Sequence, residues 1–129
     1  MTADRPQDAA LSPAELETLR ELLGSEREQT MARVASLSRD RDDIVESSSL
    51  VATDDEHDPE GSSTAFERAH VQALLDQAHR HLADLDTALE RLSEGTYGVC
   101  ERCGRPIAVE RLRVRPAART CITCAVVGR

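Results

Sequence analysis

The sequence predicts a mainly α fold: an antiparallel coiled-coil helical hairpin that carries a small C-terminal module built on four cysteines. Three observations carry this prediction. Two long stretches repeat apolar residues at helical spacing, a connection rich in Ser, Asp, Pro and Gly separates them, and all four cysteines fall in two C-x2-C pairs near the end of the 129 residues. One Phe, one Tyr and no Trp leave no large aromatic core. Leu, Val and Ala must do the packing, which suits paired helices better than a sandwich of sheets.

Residues 1–11 read as a short disordered tail. Ser12-Pro13-Ala14-Glu15 is a helix start: Ser12 can cap, Pro13 suits the first helical position, and Glu15 completes a capping box. Leu16, Leu19, Leu23, Met31, Val34, Leu37 and Ile44 then recur along a helix expected over 13–46, with Arg27 and Arg41 interrupting the stripe. Gly24 inside it costs about 1 kcal/mol against Ala. Residues 47–63 break the pattern and read as a loop. Thr64 and Glu67 offer a second capping box. After it Val71, Leu75, Ala78, Leu82, Leu85, Leu89 and Leu92 step by 4, 3, 4, 3, 4, 3, a heptad seam. Gly95 stands where a helix C-terminal glycine belongs.

Two helices of about thirty residues would each run about 45 Å at 1.5 Å per residue. Their similar lengths favour a hairpin over a dimer formed through the second helix alone, so a monomer is expected. The resulting organisation is a tail at 1–11, a hairpin at 12–95 with an acidic tip loop at 47–63, and a four-cysteine module at 96–129.

Cys100-Glu-Arg-Cys103 and Cys121-Ile-Thr-Cys124 are separated by seventeen residues. Each pair lets one tight turn aim two sulfurs at one point, and the two turns together supply the all-thiolate set that suits one structural Zn²⁺. Two disulfides or a redox C-x-x-C are the competing readings. Nothing marks the chain as secreted, and no βαβ pattern surrounds the motif. Four thiolates leave no open position for catalysis. Ile107, Val109, Leu112 and Val114 are candidates for a tiny core over short extended segments. A module of about 30 residues needs the metal for much of its folding energy.

The formal net charge is −8, but it is unevenly placed: residues 1–99 carry −13 and residues 100–129 carry +5. The seven arginines after position 100 raise the idea of a DNA-binding finger, which the negative hairpin beside them opposes. No nucleophile or ligand partner stands at a recognisable spacing from His57, His70, His79 or His81, so an enzyme is not expected. No basic n-region leads the chain and no membrane span is expected, which predicts a soluble cytoplasmic protein. The loop gathers Asp54, Asp55, Glu56, Asp58 and Glu60. Solvation, weak cation binding, or contact with a basic or metal-containing site in a partner would each account for them.

The run Tyr97-Gly98-Val99-Cys100-Glu101-Arg102-Cys103-Gly104, with Ile107, Arg111-Leu112, Arg115-Pro116 and Cys121-Ile122-Thr123-Cys124, resembles the DksA/TraR family of C4-type zinc-finger transcription regulators. The hairpin before it matches in architecture. The resemblance implies a regulator that binds bacterial RNA polymerase by inserting its coiled coil into the secondary channel, without sequence-specific DNA binding. It gives Asp55 and Asp58 the role of contacting the partner's active site. The family's tip pattern is Asp-x-x-Asp-x-Ala, and Glu60 stands where its Ala would be. Only Ala125–Arg129 follow the last cysteine, where longer members carry a helix. Arg115 matches a nucleotide- or polymerase-contact position. Gln77, Asp84 and Ala125 stand at other positions where the best-known member has basic residues, which argues against a response to guanosine tetraphosphate. A reading of a different class is a zinc-stabilised coiled-coil adaptor for another protein.

Overall fold

In the computed structural model of the chain, residues 10–51 and 59–127 are described, with side chains at 10–46 and 63–127. Among the described residues four helices follow one another: α1 (Pro13–Val51), α2 (Pro59–Glu94), α3 (Val109–Val114) and α4 (Ile122–Val127). The first two form the long helical hairpin, and the cysteines lie beyond it. By residue contacts the chain divides into two units, Met1–Glu28 with Ala83–Arg129, and Gln29–Leu82.

α1 starts as its sequence dictates. The Ser12 N–H donates to Glu15 Oε1 at 2.9 Å and the Glu15 N–H donates to Ser12 Oγ at 3.1 Å, the reciprocal bonds of a capping box. Leu11, expected in the tail, is instead ordered and packs on the core together with Leu16. These are the N′ and N4 positions of a hydrophobic staple.

Both helices run further into the connection than the sequence suggests. α1 continues to Val51 and α2 begins at Pro59. Ser47–Ser49 include no Gly or Pro to stop the hydrogen-bond ladder, and Pro59 takes the first helical position, where its missing N–H costs nothing. Thr64 and Glu67 therefore lie inside α2 rather than at its start. The tip positions Asp55 and Asp58 fall outside the described residues.

The other end of α2 closes with Gly95 at φ +82°. The Gly95 N–H donates to the Leu92 carbonyl at 3.3 Å and the Thr96 N–H to the Arg91 carbonyl at 2.9 Å. These are the two bonds of a Schellman motif.

The unit of residues 29–82 is a single helix–helix seam. Thr30, Leu75 and Ala78 are buried along it. Val34, Leu37, Ile44, Val71 and Leu82 are half-buried. Met31, expected on the stripe, is 47% exposed and Thr30 is 6% exposed in its stead. Spacing explains the exchange: 16, 23, 30, 37 and 44 keep the seven-residue period and 31 does not. Position 41 belongs to the companion heptad line of 27, 34 and 41. Its interruption of the stripe is a polar seam contact, Arg41 Nη1 donating to Gln72 Oε1 at 3.5 Å.

In the other unit the ends of the hairpin and the cysteine module share one core. Leu19, Leu23, Leu85, Ala88 and Leu92 pack with Tyr97, Cys100, Ile107 and Leu112. The short module therefore draws on the leucines of α1 and α2 as well as its own. Arg27, the first interruption of the α1 stripe, pairs with Asp86 of α2, whose carboxylate raises the Arg27 pKa. Ile107 and Leu112 are buried as expected, but Val114 is 80% exposed. The segment is the helix α3 rather than extended chain, and two residues of helix turn Val114 to the face opposite Leu112.

Gly98 and Gly24 make opposite demands. Gly98 has φ +87°, and a Cβ there would meet Leu11 Cδ1 at 3.0 Å and Leu112 Cδ1 at 3.7 Å. Gly24 lies inside α1 with nothing within 4 Å of an added Cβ. Gly98→Ala is expected to destabilise the protein by about 2 kcal/mol through left-handed strain and the Leu11 contact. Gly24→Ala is expected to stabilise it by up to about 1 kcal/mol. Urea melts of the two variants check both signs.

Candidate metal centre and its family

The Sγ atoms of Cys100, Cys103, Cys121 and Cys124 lie within 4.8 Å of one another, the one group of three or more His, Cys, Asp or Glu so placed among the described residues. A tetrahedral zinc with Zn–S bonds of about 2.3 Å needs sulfurs about 3.8 Å apart. Cys103 Sγ and Cys121 Sγ are 3.8 Å apart. The cluster fits the ion.

The two pairs reach this geometry by different local structures. In the first, a turn after Cys100 aims the Arg102 N–H at Cys100 Sγ and the Arg105 N–H at Cys103 Sγ, both at 3.4 Å. Gly104, at φ +76°, shapes its end, and an isolated antiparallel bridge between Val99 and Pro106 closes the turn. The second pair lacks a glycine. Its turn is the start of α4, where Cys121 occupies the cap position and its sulfur accepts the Cys124 N–H. One thiolate-holding turn is a glycine turn and the other a helix N-terminus.

The clustered sulfurs also perturb one another's protonation. Burial works against a charge on Cys100, but N–H groups of Cys103, Cys121 and Arg102 and the thiol of Cys124 outweigh it and bring its pKa down to about 6. For Cys121 the Cys124 N–H is the main cause of a lowered pKa. Cys124 is pushed up to about 12, first by burial and then by donating its proton to the other three sulfurs. Only thiolates ligate zinc, so metal binding displaces the thiol protons.

Around the sulfurs lies a set of fixing contacts that spacing alone did not reveal. Arg91, in the last turn of α2, donates to the Thr96 carbonyl at 3.0 Å, the Val99 carbonyl at 2.6 Å and the Glu101 carboxylate at 3.4 Å. Arg119 Nε donates to the same carboxylate at 2.9 Å, and Arg119 Nη1 donates to Asp84 at 3.3 Å. Glu101, more than Asp84, raises the Arg119 pKa. Arg111 Nε donates to the Thr120 carbonyl at 3.0 Å, next to Cys121. The buried Tyr97 hydroxyl donates to the Pro116 carbonyl at 2.8 Å, and burial pushes its pKa up to about 12. A basic residue in a last helical turn was a visible signal for Arg91. Nothing in the local sequence marked Asp84. Arg115 is exposed at the end of α3, its N–H donating to the Arg111 carbonyl at 2.7 Å.

Residues 95–126 match the prokaryotic dksA/traR C4-type zinc finger. Over the whole fold the chain is similar to the structure of transcription factor DksA2 from Pseudomonas aeruginosa, with TM-score 0.75 and 28% identity, over 93% of this chain and 87% of that one. An uncharacterised protein of Bacillus subtilis, YteA, is 30% identical over 105 residues, 76% of this chain and 44% of its own length. The RNA polymerase-binding transcription factor DksA of Caulobacter vibrioides is 37% identical over 57 residues, 44% of this chain and 40% of its own length. The matches thus span less than half the length of these curated relatives. The chain thus carries a C4-type zinc finger like that of the dksA/traR proteins, its four clustered cysteines suited to one structural zinc, and its fold is similar to that of DksA2.

Proposed function

We propose that the chain regulates transcription by binding bacterial RNA polymerase, its hairpin entering the secondary channel tip first, without sequence-specific DNA contacts. The observation that carries this reading is the likeness to DksA2 over 93% of the chain, which covers hairpin and finger together. The name of the Caulobacter relative, RNA polymerase-binding transcription factor, supports the partner. The net charge of −8 opposes free binding to nucleic acid. Among the described residues no helix is long and apolar enough to cross a membrane, and a polymerase regulator works in the cytoplasm.

In this reading Asp55 and Asp58 act on the polymerase active-site region, while the seam leucines supply only the fold. Arg115, exposed on the finger, is a polymerase contact. Guanosine tetraphosphate is not an expected effector: Asp84 puts a carboxylate, held by Arg119, where a phosphate group would need a cation.

Retention of the polymerase β and β′ subunits by the purified chain tests the partner, and competition by another secondary-channel factor tests the route. Failure to retain them would leave an adaptor for some other protein. For the tip, the double change Asp55→Asn, Asp58→Asn is expected to alter stability by less than about 0.5 kcal/mol. It should abolish any effect on open-complex lifetime or transcript yield while much of the polymerase affinity survives. Asp8→Asn is the control. A double variant that regulates as well as its parent would reduce the tip to a solvated loop.

A further inference from the structure

The geometry points to Glu101 as a positioning residue that ties the two cysteine turns together and sets how firmly the finger holds its zinc. Glu101 lies between Cys100 and Cys103. Its N–H donates to the Arg119 carbonyl at 2.9 Å. Its Oε2 accepts from Arg119 Nε at 2.9 Å and from Arg91 Nη1 at 3.4 Å. Arg119 stands two residues before Cys121, so one residue of the first turn is bonded twice to the lead-in of the second. Arg91 also holds the Val99 carbonyl at 2.6 Å, directly before Cys100, and it belongs to α2. A single carboxylate oxygen thus joins the first turn, the approach to the second and the last turn of α2.

Charge balance alone does not account for this arrangement. Zinc with four thiolates carries −2, so a carboxylate beside it is repelled, and arginines without Glu101 would neutralise the centre better. The carboxylate earns its place by orienting two guanidinium groups. These pairs are partly exposed, so their direct share of global stability is small. Their effect falls on the separation of the sulfurs, as outer-shell partners of metal ligands do.

The test follows zinc transfer from the full zinc-loaded chain to an excess of a chromophoric chelator. Glu101→Gln and Arg119→Ala are each expected to speed transfer about tenfold. The double variant should be no faster than either single one, because both remove the same joint. Arg113→Ala, at an exposed position of α3, removes the same charge as Arg119→Ala without touching Glu101 and should stay within about twofold of the parent. Urea midpoints of the zinc-loaded variants should match the parent's. The parent alone supplies a further reading: rising salt, which screens exposed pairs, should speed its transfer and leave that of Glu101→Gln flat. The assignment is overturned by Glu101→Gln releasing zinc at the parent's rate, by Arg113→Ala accelerating release as much as Arg119→Ala, or by a salt-independent parent.

Discussion

Leu85→Asp is expected to cost about 4 kcal/mol or more, enough to unfold a marginal domain. Leu85 is 0% exposed in the core where Leu19 and Leu23 of α1 meet Ile107 and Leu112 of the finger. The change removes about 2 kcal/mol of apolar burial and places a carboxylate where no partner reaches it, which costs several more. Leu82→Asp, at a half-buried position, should be milder. Glu90→Gln, at an exposed position of the same helix, should stay within about 0.5 kcal/mol of the parent. Urea melts followed by helicity decide the matter. Equal midpoints for Leu85→Asp and Glu90→Gln would mean that the two helices do not pair through this seam.

Cys103→Ser is expected to lose the metal and, with it, the finger. Cys103 is exposed, so the change removes little packing. What it removes is one of four thiolates, and structural zinc supplies about 10–16 kcal/mol of apparent binding energy in finger peptides. Zinc content should fall from one per chain to well below it, and amide protection in α3 and α4 should collapse. The Leu75 and Ala78 seam should keep its helicity, because the unit of residues 29–82 contains no cysteine. Absence of zinc from reduced, freshly purified parent protein would refute the metal assignment itself.

Short-range rules made much of this molecule legible. The capping box at Ser12, the heptad run from Val71 to Leu92, the glycine stop at Gly95 and the two C-x2-C turns all act over a few residues, and the structure keeps each of them. What escaped was set by partners distant in sequence. Met31 looked like a seam residue by type, whereas the period of seven selects Thr30. Arg27 looked like an interruption until Asp86 faced it from 59 positions away. Val114 looked like core until α3 proved helical. Leu11 looked like tail because its contact, the bare face of Gly98, comes from the other end of the chain. Asp84 and Glu101 are individually ordinary charges, and only the fold brings both to Arg119.

The polar residues in the hairpin seam have a consequence for alignment. A track of leucines and alanines looks the same after every seven residues, so it resists sliding only weakly. One such slip would carry one helix past the other by about 10 Å. Arg27 with Asp86, and Arg41 with Gln72, break that sameness. Sliding by a heptad would part both pairs at once and leave their groups against foreign neighbours. The least oily positions of the seam thus act as index marks on a ruler. They add little to how strongly the helices hold together, yet they decide which residues face one another across the seam.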